Sequence, residues 1–164
     1  MWQVTRSDLY SPTHEEVAAD WQTFGGGAPI AGILRDYSPS DVDGIAYRSQ
    51  GGEAAGLVTW WRDGRMAEIV SMHASPSGQG LGTDLLKAAE KELRSRGVNQ
   101  VALGTTNDNV NALSFYLKRG YRLTRIHENA MDRVRSLKPS VPLLGMNGIP
   151  LMDMLELIKY LQQE

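Results

Sequence analysis

Ala67 to Lys87 reads AEIVSMHASPSGQGLGTDLLK. An apolar run, Ile69-Val70-Ser71-Met72, leads into a loop of Ser, Pro and Gly, and the loop opens onto a helical pattern beginning at Gly82 or Thr83. Strand, glycine loop and helix start follow in that order. Residues without Cβ let the backbone come close to a ligand, and the first N–H groups of a helix lack internal acceptors. The junction therefore suits a phosphate or pyrophosphate. The helix dipole adds about half a positive charge there. The same spacing also serves a plain tight turn with close packing. It is not a Walker loop, because no Gly-Lys-Ser/Thr follows. As a dinucleotide fingerprint it lacks the acidic residue about twenty positions on.

Downstream, a strand-like Val101-Ala102-Leu103 precedes Thr105-Thr106-Asn107-Asp108-Asn109. Asn111-Ala112-Leu113-Ser114-Phe115-Tyr116-Leu117-Lys118-Arg119-Gly120-Tyr121 comes next. Together these blocks resemble the GNAT superfamily of acetyl-coenzyme A dependent N-acetyltransferases. In that superfamily a Q/R-x-x-G-x-G/A loop binds the cofactor pyrophosphate and an N-x-x-A-x-x-F-Y-x-x-x-G-F block supplies a cofactor-side helix. Gly80-Leu81-Gly82 matches the core of the first pattern. Asn109, Ala112, Phe115, Tyr116, Gly120 and Tyr121 match the second, with Tyr for the final Phe. Ser77 stands at the Gln/Arg position, so a long-side-chain phosphate contact is lost or passes to Gln79. The resemblance covers Glu53 to Ile126, and the Pro/Gly-rich string from Arg135 to Pro150 looks like a little-characterised bacterial subgroup.

The resemblance implies an α/β (α+β) fold: a mixed, mostly antiparallel sheet of six to seven strands, a splayed central strand pair and flanking helices, in one domain over residues 1–164. It implies acetyl-CoA as cofactor and direct acetyl transfer to a primary amine of a small molecule or peptide. The competing class is a non-catalytic acyl-CoA sensor or partner-docking module of the same fold. Cofactor contacts would come from Met72, His73 and Ala74 on the strand, then from Gln79, Gly80, Leu81, Gly82 and Thr83 in the loop. Asn109, Asn111, Ala112, Tyr116 and Lys118 would add contacts from the later helix. Dimers are frequent in the superfamily, so a homodimer is an expectation carried with it.

Composition agrees with one compact domain. The chain has 164 residues, 41% hydrophobic and 22% charged, enough to bury a core without staples. It has no Cys, which excludes disulfides, thiolate zinc sites and a thiol nucleophile, and three scattered His make no metal cluster. A net charge of −2 offers no general basic field for nucleic acid or an anionic membrane. The longest apolar run, Ala54 to Trp61, is too short to span a bilayer, and no apolar signal region opens the chain. The expected location is the cytoplasm.

Trp2 to Thr5 reads as a first strand. Thr13 with Glu16 makes a capping box for a helix from His14 to Thr23, which Gly25-Gly26-Gly27 ends. Residues 28–43 have two Pro and little periodicity; in the superfamily this region helps shape the acceptor site. Ile45 to Arg48 alternates, Gly51-Gly52 turns, Ala54 to Arg62 is a strand, and Asp63-Gly64 closes a hairpin onto Arg65 to Ala74. Leu85, Leu86, Ala89 and Leu93 mark a half-buried helix ending at Gly97. Asn109 is placed to cap a helix that Gly120 terminates, and Tyr121 to Ile126 returns as a strand. A short helix from Asn129 to Leu137 follows. Met152 to Leu161 fits a helix poorly and is read as a last strand.

Acetyl transfer to an amine needs a neutral amine, a polarised carbonyl and a proton for the departing thiolate. Tyr116 stands where the superfamily carries a tyrosine thought to protonate that thiolate; its alternative is a tyrosine packed against the sheet. Glu68, in Ala-Glu-Ile-Val, resembles the glutamate that deprotonates the acceptor in the histone acetyltransferase branch. Desolvation on an apolar strand would raise its pKa toward working pH. The competing readings are a solvated carboxylate or one that holds a cationic substrate. His73 and Glu128 are weaker candidates for the base. Lys118 and Arg119 lie near the adenosine end in the superfamily, or simply form a solvated helix face.

Overall fold

The computed structural model describes residues 9–49, 54–75, 78 and 80–162. The strand expected at Trp2–Thr5, the Gly51-Gly52 turn and Gln79 lie outside the described residues. The fold is mixed α/β, with mostly antiparallel strands and, among the described residues, four α-helices. Packing gathers the chain into two compact units, one running to Val101 and including Leu161, the other Ala102–Tyr160. No described helix is long and apolar enough to cross a membrane.

The first unit holds β1 (Leu9–Tyr10), α1 (His14–Phe24), β2 (Ile30–Ala31), β3 (Asp36–Tyr37), β4 (Asp43–Arg48), β5 (Ala54–Asp63), β6 (Met66–Ala74) and α2 (Leu81–Ser95). Strands β1, β4, β5 and β6 are antiparallel neighbours in that order. The β5–β6 hairpin turns at Gly64, whose φ of 57° is the left-handed geometry that Asp-Gly supplies. α1 starts where Thr13 Oγ1 accepts the Glu16 N–H at 3.1 Å, as the capping pair predicts. Its apolar face, Val17 and Trp21, is buried with Tyr37, Val42, Ala46 and Leu57. A polar thread crosses that core: Trp21 Nε1 donates to Ser71 Oγ at 2.8 Å, and Ser71 Oγ lies 2.6 Å from the hydroxyl of the buried Thr59. The indole N–H is thus satisfied where an apolar neighbour would have orphaned it.

Residues 28–43, unreadable as sequence, contain the two-stranded ladder β2–β3, closed by Gly32 N–H donating to Arg35 C=O at 2.9 Å. α2 begins at Leu81, slightly ahead of the sequence expectation, and buries Leu81, Leu85, Leu86, Ala89 and Leu93. At roughly 1.5–3 kcal/mol for each large aliphatic side chain, that face rather than helix propensity holds α2 to the unit.

Gly56 of β5 stands opposite Tyr47 of β4, and a Cβ there would overlap the Tyr47 ring. Tyr47 cannot swing aside, being 2% exposed with its hydroxyl donating to Ser75 C=O at 3.0 Å. Gly56→Ala should therefore cost about 1–3 kcal/mol of unfolding free energy in a denaturant titration. A change below about 0.5 kcal/mol would show that the ring is free to move.

In the second unit β7 (Gln100–Thr106, entering from the first) is followed by α3 (Val110–Leu117), β8 (Arg122–His127), α4 (Ala130–Leu137) and β9 (Met154–Tyr160). β9 lies between β7 and β8 and is antiparallel to β8, from Arg122↔Ile158 to His127↔Met154. Leu155 and Leu157 are buried two residues apart, the strand period, which resolves the ambiguous C-terminal segment as the expected strand. The Pro/Gly-rich connection before β9 is held by side chains. Asn107 donates to Pro150 C=O at 2.9 Å and accepts the N–H groups of Met152 and Asp153, each at 3.0 Å. Asp108 accepts Met146 N–H at 2.9 Å, and Arg135 donates to the carbonyls of Pro142 and Leu151.

Candidate active site

The exit of β6 is fixed before the glycine loop begins. Ser75 donates its N–H to Ala55 C=O at 2.9 Å while its own carbonyl takes the Tyr47 hydroxyl. Gly78 and Gly80 both have φ near +80°, which side-chain-bearing residues adopt only with strain. A Cβ at either position would meet nothing within 4 Å, so these glycines set backbone direction and leave open space in front of it. Gly80 is the N-cap of α2, and no side chain caps the helix there. The loop thus presents a helix N-terminus, with its dipole and outward N–H groups, without the Ser, Thr or Asp that usually occupies the position. Such a terminus can take an anionic group.

Of the sequence-predicted residues, Glu68, Met72, His73, Ala74 and Gly80 to Thr83 lie in the first unit. Asn109, Asn111, Ala112, Tyr116 and Lys118 lie in the second. Met72, His73 and Ala74 close β6, in register with Val58, Leu57 and Gly56 of β5. Glu68 is 1% exposed, which excludes the solvated carboxylate. It accepts the N–H groups of Ile33 and Leu34, the latter at 3.2 Å, and the hydroxyl of Tyr37. A Cβ on Gly32 would stand 2.7 Å from Glu68 Oε1, so the β2–β3 turn closes over the carboxylate only with glycine there. Burial and the Glu68 partner push the Tyr37 phenol well above its ordinary pKa. Glu68 is placed as the anchor of the 33–37 segment.

His73 Nδ1 lies 2.7 Å from Asp20 Oδ1, and its imidazole stacks on the Phe24 ring with centroids 3.9 Å apart. Asp20 carries no motif of its own in the sequence. Its signal was there: Glu16, Asp20 and Phe24 recur every four residues, which puts them along one edge of α1.

In the second unit, Asn109 Oδ1 accepts Ala112 N–H at 3.0 Å, the cap expected of it. Asn109→Ala should cost about 1 kcal/mol in thermal or denaturant unfolding, with Asn109→Asp retaining most of it. Tyr116 is half-buried and flanked edge-on by Phe115 and Tyr121, centroids 5.1 and 5.6 Å away. Burial pushes its phenol up to about 12, so the group holds its proton throughout the neutral range. Arg119 is not a plain solvated charge: it lies 3.6 Å above the Phe115 ring and donates to Phe115 C=O at 2.8 Å. Asn111 and Lys118 are exposed.

Residues 8–121 match the family model described as "Acetyltransferase (GNAT) family", a span that takes in parts of both units. The chain is 42% identical over 146 residues to the uncharacterized protein YxbD of Bacillus subtilis (strain 168), covering 89% of this chain and 92% of that one. Among solved structures, the IAA acetyltransferase from Bacillus cereus ATCC 14579 superposes with a TM-score of 0.73 at 19% identity, over 93% of this chain and 98% of the other. A GNAT family acetyltransferase from Elizabethkingia anophelis, with acetyl-CoA bound, gives a TM-score of 0.65 at 24% identity over 74% and 78%. With a family model matched over most of its length and a near-full-length relative above 40% identity, the chain belongs to the acetyltransferase (GNAT) family.

Proposed function

We propose that the chain, acting as a single acetyltransferase domain over residues 1–164, binds acetyl-CoA and transfers its acetyl group directly to the primary amine of a small molecule or peptide. The observation that carries this reading is the junction at Gly78 to Thr83: two left-handed glycines, open space before them, and a helix N-terminus with no side-chain cap. Those features fit a diphosphate, and solved relatives of the same fold hold acetyl-CoA or CoA. Gly80, Leu81, Gly82 and Thr83 would hold the diphosphate with main-chain N–H groups; the further contact assigned to Gln79 falls outside the described residues. The main chain of Met72, His73 and Ala74 would bond the pantetheine arm and polarise the reacting carbonyl. Asn109, Asn111, Ala112 and Lys118 are assigned to the cofactor side of α3. The cofactor supplies an acetyl group activated as a thioester; Tyr116 is assigned the proton for the departing thiolate.

The test has two arms. Thermal shift with acetyl-CoA and CoA should show saturable stabilisation, growing as RT ln(1 + [L]/Kd). Thiol release should then be followed with polyamines, amino acids, aminoglycosides, short peptides and simple alkyl and aryl amines. Binding with turnover of at least one amine is expected. Binding with no turnover on any of them would favour the acyl-CoA sensor, and no binding would remove both readings.

A further inference from the structure

β8 is the outermost strand of its sheet, with β9 on one side and, among the described residues, no strand on the other. An edge of this kind presents backbone N–H and C=O groups to any strand that can match it. Arg122 to Ile126 are exposed and His127 is half-buried, so the side chains of the strand are open on both faces. Leu123 and Ile126 are its large aliphatic residues, 44% and 53% exposed. Three positions apart on a regular strand, they would point to opposite faces. The ladder with β9 sets them on one: Leu123 lies opposite Leu157 and Ile126 opposite Leu155, two positions that share a face. The cause is the register shift between Leu123 and Arg125, where Thr124 is the extra residue of a bulge and donates its hydroxyl to Glu156 C=O at 3.2 Å. Arg122, Arg125 and His127, opposite Ile158, Glu156 and Met154, point to the other face, and the bulge turns Thr124 the same way as Arg125. The order of faces along β8 is therefore palindromic, with one aliphatic residue second from each end.

We propose that β8 pairs antiparallel with β8 of a second copy of this chain, about a two-fold axis between Thr124 and Arg125. A two-fold contact sets each surface against itself and so needs one that is self-complementary. In this register Leu123 lies opposite Ile126 of the second copy, Arg122 opposite His127, and Thr124 opposite Arg125. Each opposed pair then has both side chains on one face. Sliding by one residue loses the match: an axis through Thr124 sets Leu123 against Arg125, and an axis through Arg125 sets that guanidinium against itself. Like charges directly opposite are destabilising, so the arginines that guard this edge against neighbouring registers leave the palindromic one open. The pairing satisfies the main-chain groups of the edge and brings four aliphatic side chains together, two from each copy, beside the buried Leu155 and Leu157. It stands apart from the acetyl-transfer reading, and neither fails with the other.

Sedimentation velocity at the highest soluble concentration should give wild type twice the chain mass of 18.1 kDa. Leu123→Glu and Ile126→Glu, each checked for an unaltered circular dichroism spectrum, place a carboxylate against an aliphatic side chain of the second copy. Each should weaken the dimer about 10²-fold or more and bring the mass down to one chain. Ile126→Val should keep the dimer. So should Leu143→Glu, at a 76% exposed position in the connection before β9. The register is read separately, because the chain has no Cys of its own. Chains carrying Leu123→Cys, mixed with chains carrying Ile126→Cys and oxidised, should cross-link to one another, since opposed Cβ atoms lie about 4.5–5.5 Å apart. Either variant alone should not, its two cysteines being three positions out of line. A monomeric wild type, Glu variants on β8 that stay dimeric, or a dimer lost only in Leu143→Glu overturns the pairing. Single-Cys chains that cross-link alone and not in the mixture overturn the register and with it this two-fold axis.

Discussion

Replacing Glu68 by Ala should lower the unfolding free energy by about 3–5 kcal/mol, a large part of the 5–15 kcal/mol typical of a folded domain. The reason is the number of donors that lose their acceptor at once. Ile33 N–H, Leu34 N–H and the Tyr37 hydroxyl all point at this carboxylate, and the site is closed to water, with Glu68 and Tyr37 at 1% and 0% exposure. Each donor left unsatisfied costs about 1–3 kcal/mol, and partial collapse or water entry recovers some of that. Tyr37→Phe removes one donor and leaves the other two bonds in place, so it should cost less than Glu68→Ala. Glu68→Gln should fall between, because an amide keeps one acceptor oxygen but turns an NH₂ toward the remaining donors. Urea titrations read these differences through the midpoint at unchanged m-value. The measurement also separates two roles for the residue: a base removed from an otherwise sound fold would cut kcat and leave the midpoint within about 0.5 kcal/mol of wild type. An Ala variant as stable as wild type would show that the 33–37 segment does not depend on this anchor.

That Glu68 reads as a candidate base in the sequence and as an anchor in the fold shows where sequence reasoning stops. The pattern Ala-Glu-Ile-Val identifies a carboxylate on an apolar strand, and local periodicity identifies the strand. Its partners lie 31–35 residues earlier, in a segment with no period to read. Elements whose signals are local were legible: the Thr13–Glu16 cap, the Asp63-Gly64 turn, the apolar stripe of α2 and the Asn109 cap all appear where side-chain chemistry demands them. The β2–β3 ladder was not, because two-residue strands carry no alternation and depend on Glu68 and Gly32 for closure. Asn107 and Asp108 carry no local signal beyond the turn before α3, yet each holds backbone some 40 residues away. Asp20 had a spacing signal with Glu16 and Phe24, but only folding shows that His73 of β6 meets that edge of α1.

Replacing Tyr116 by Phe should reduce kcat by about 10²-fold or more, with acetyl-CoA affinity kept within about threefold. The substitution deletes one oxygen and leaves the edge-on contacts with Phe115 and Tyr121, which use the ring. Packing is therefore a poor explanation for any loss, and an unchanged melting profile would remove it. The phenol, pushed up to about 12 by burial, is a proton store at neutral pH and not a base. A thiolate leaving with its charge undelivered needs such a donor at the moment the carbon–sulfur bond breaks. The sign of the pH dependence follows. Because the folded phenol titrates above the ordinary value near 10, wild type should lose no activity through this group until pH climbs past about 10. Above that the unfolded chain ionises first, so burial of Tyr116 makes the fold less stable as pH rises from about 10 to about 12. Tyr116→Phe should remove this phenol's share of the alkaline loss of stability, the buried Tyr10, Tyr37 and Tyr47 phenols keeping theirs, along with the rate, two readouts from one hydroxyl. Unchanged thiol release with every amine that wild type uses would show that the proton comes from water, and Tyr116 would then be a packing residue of α3.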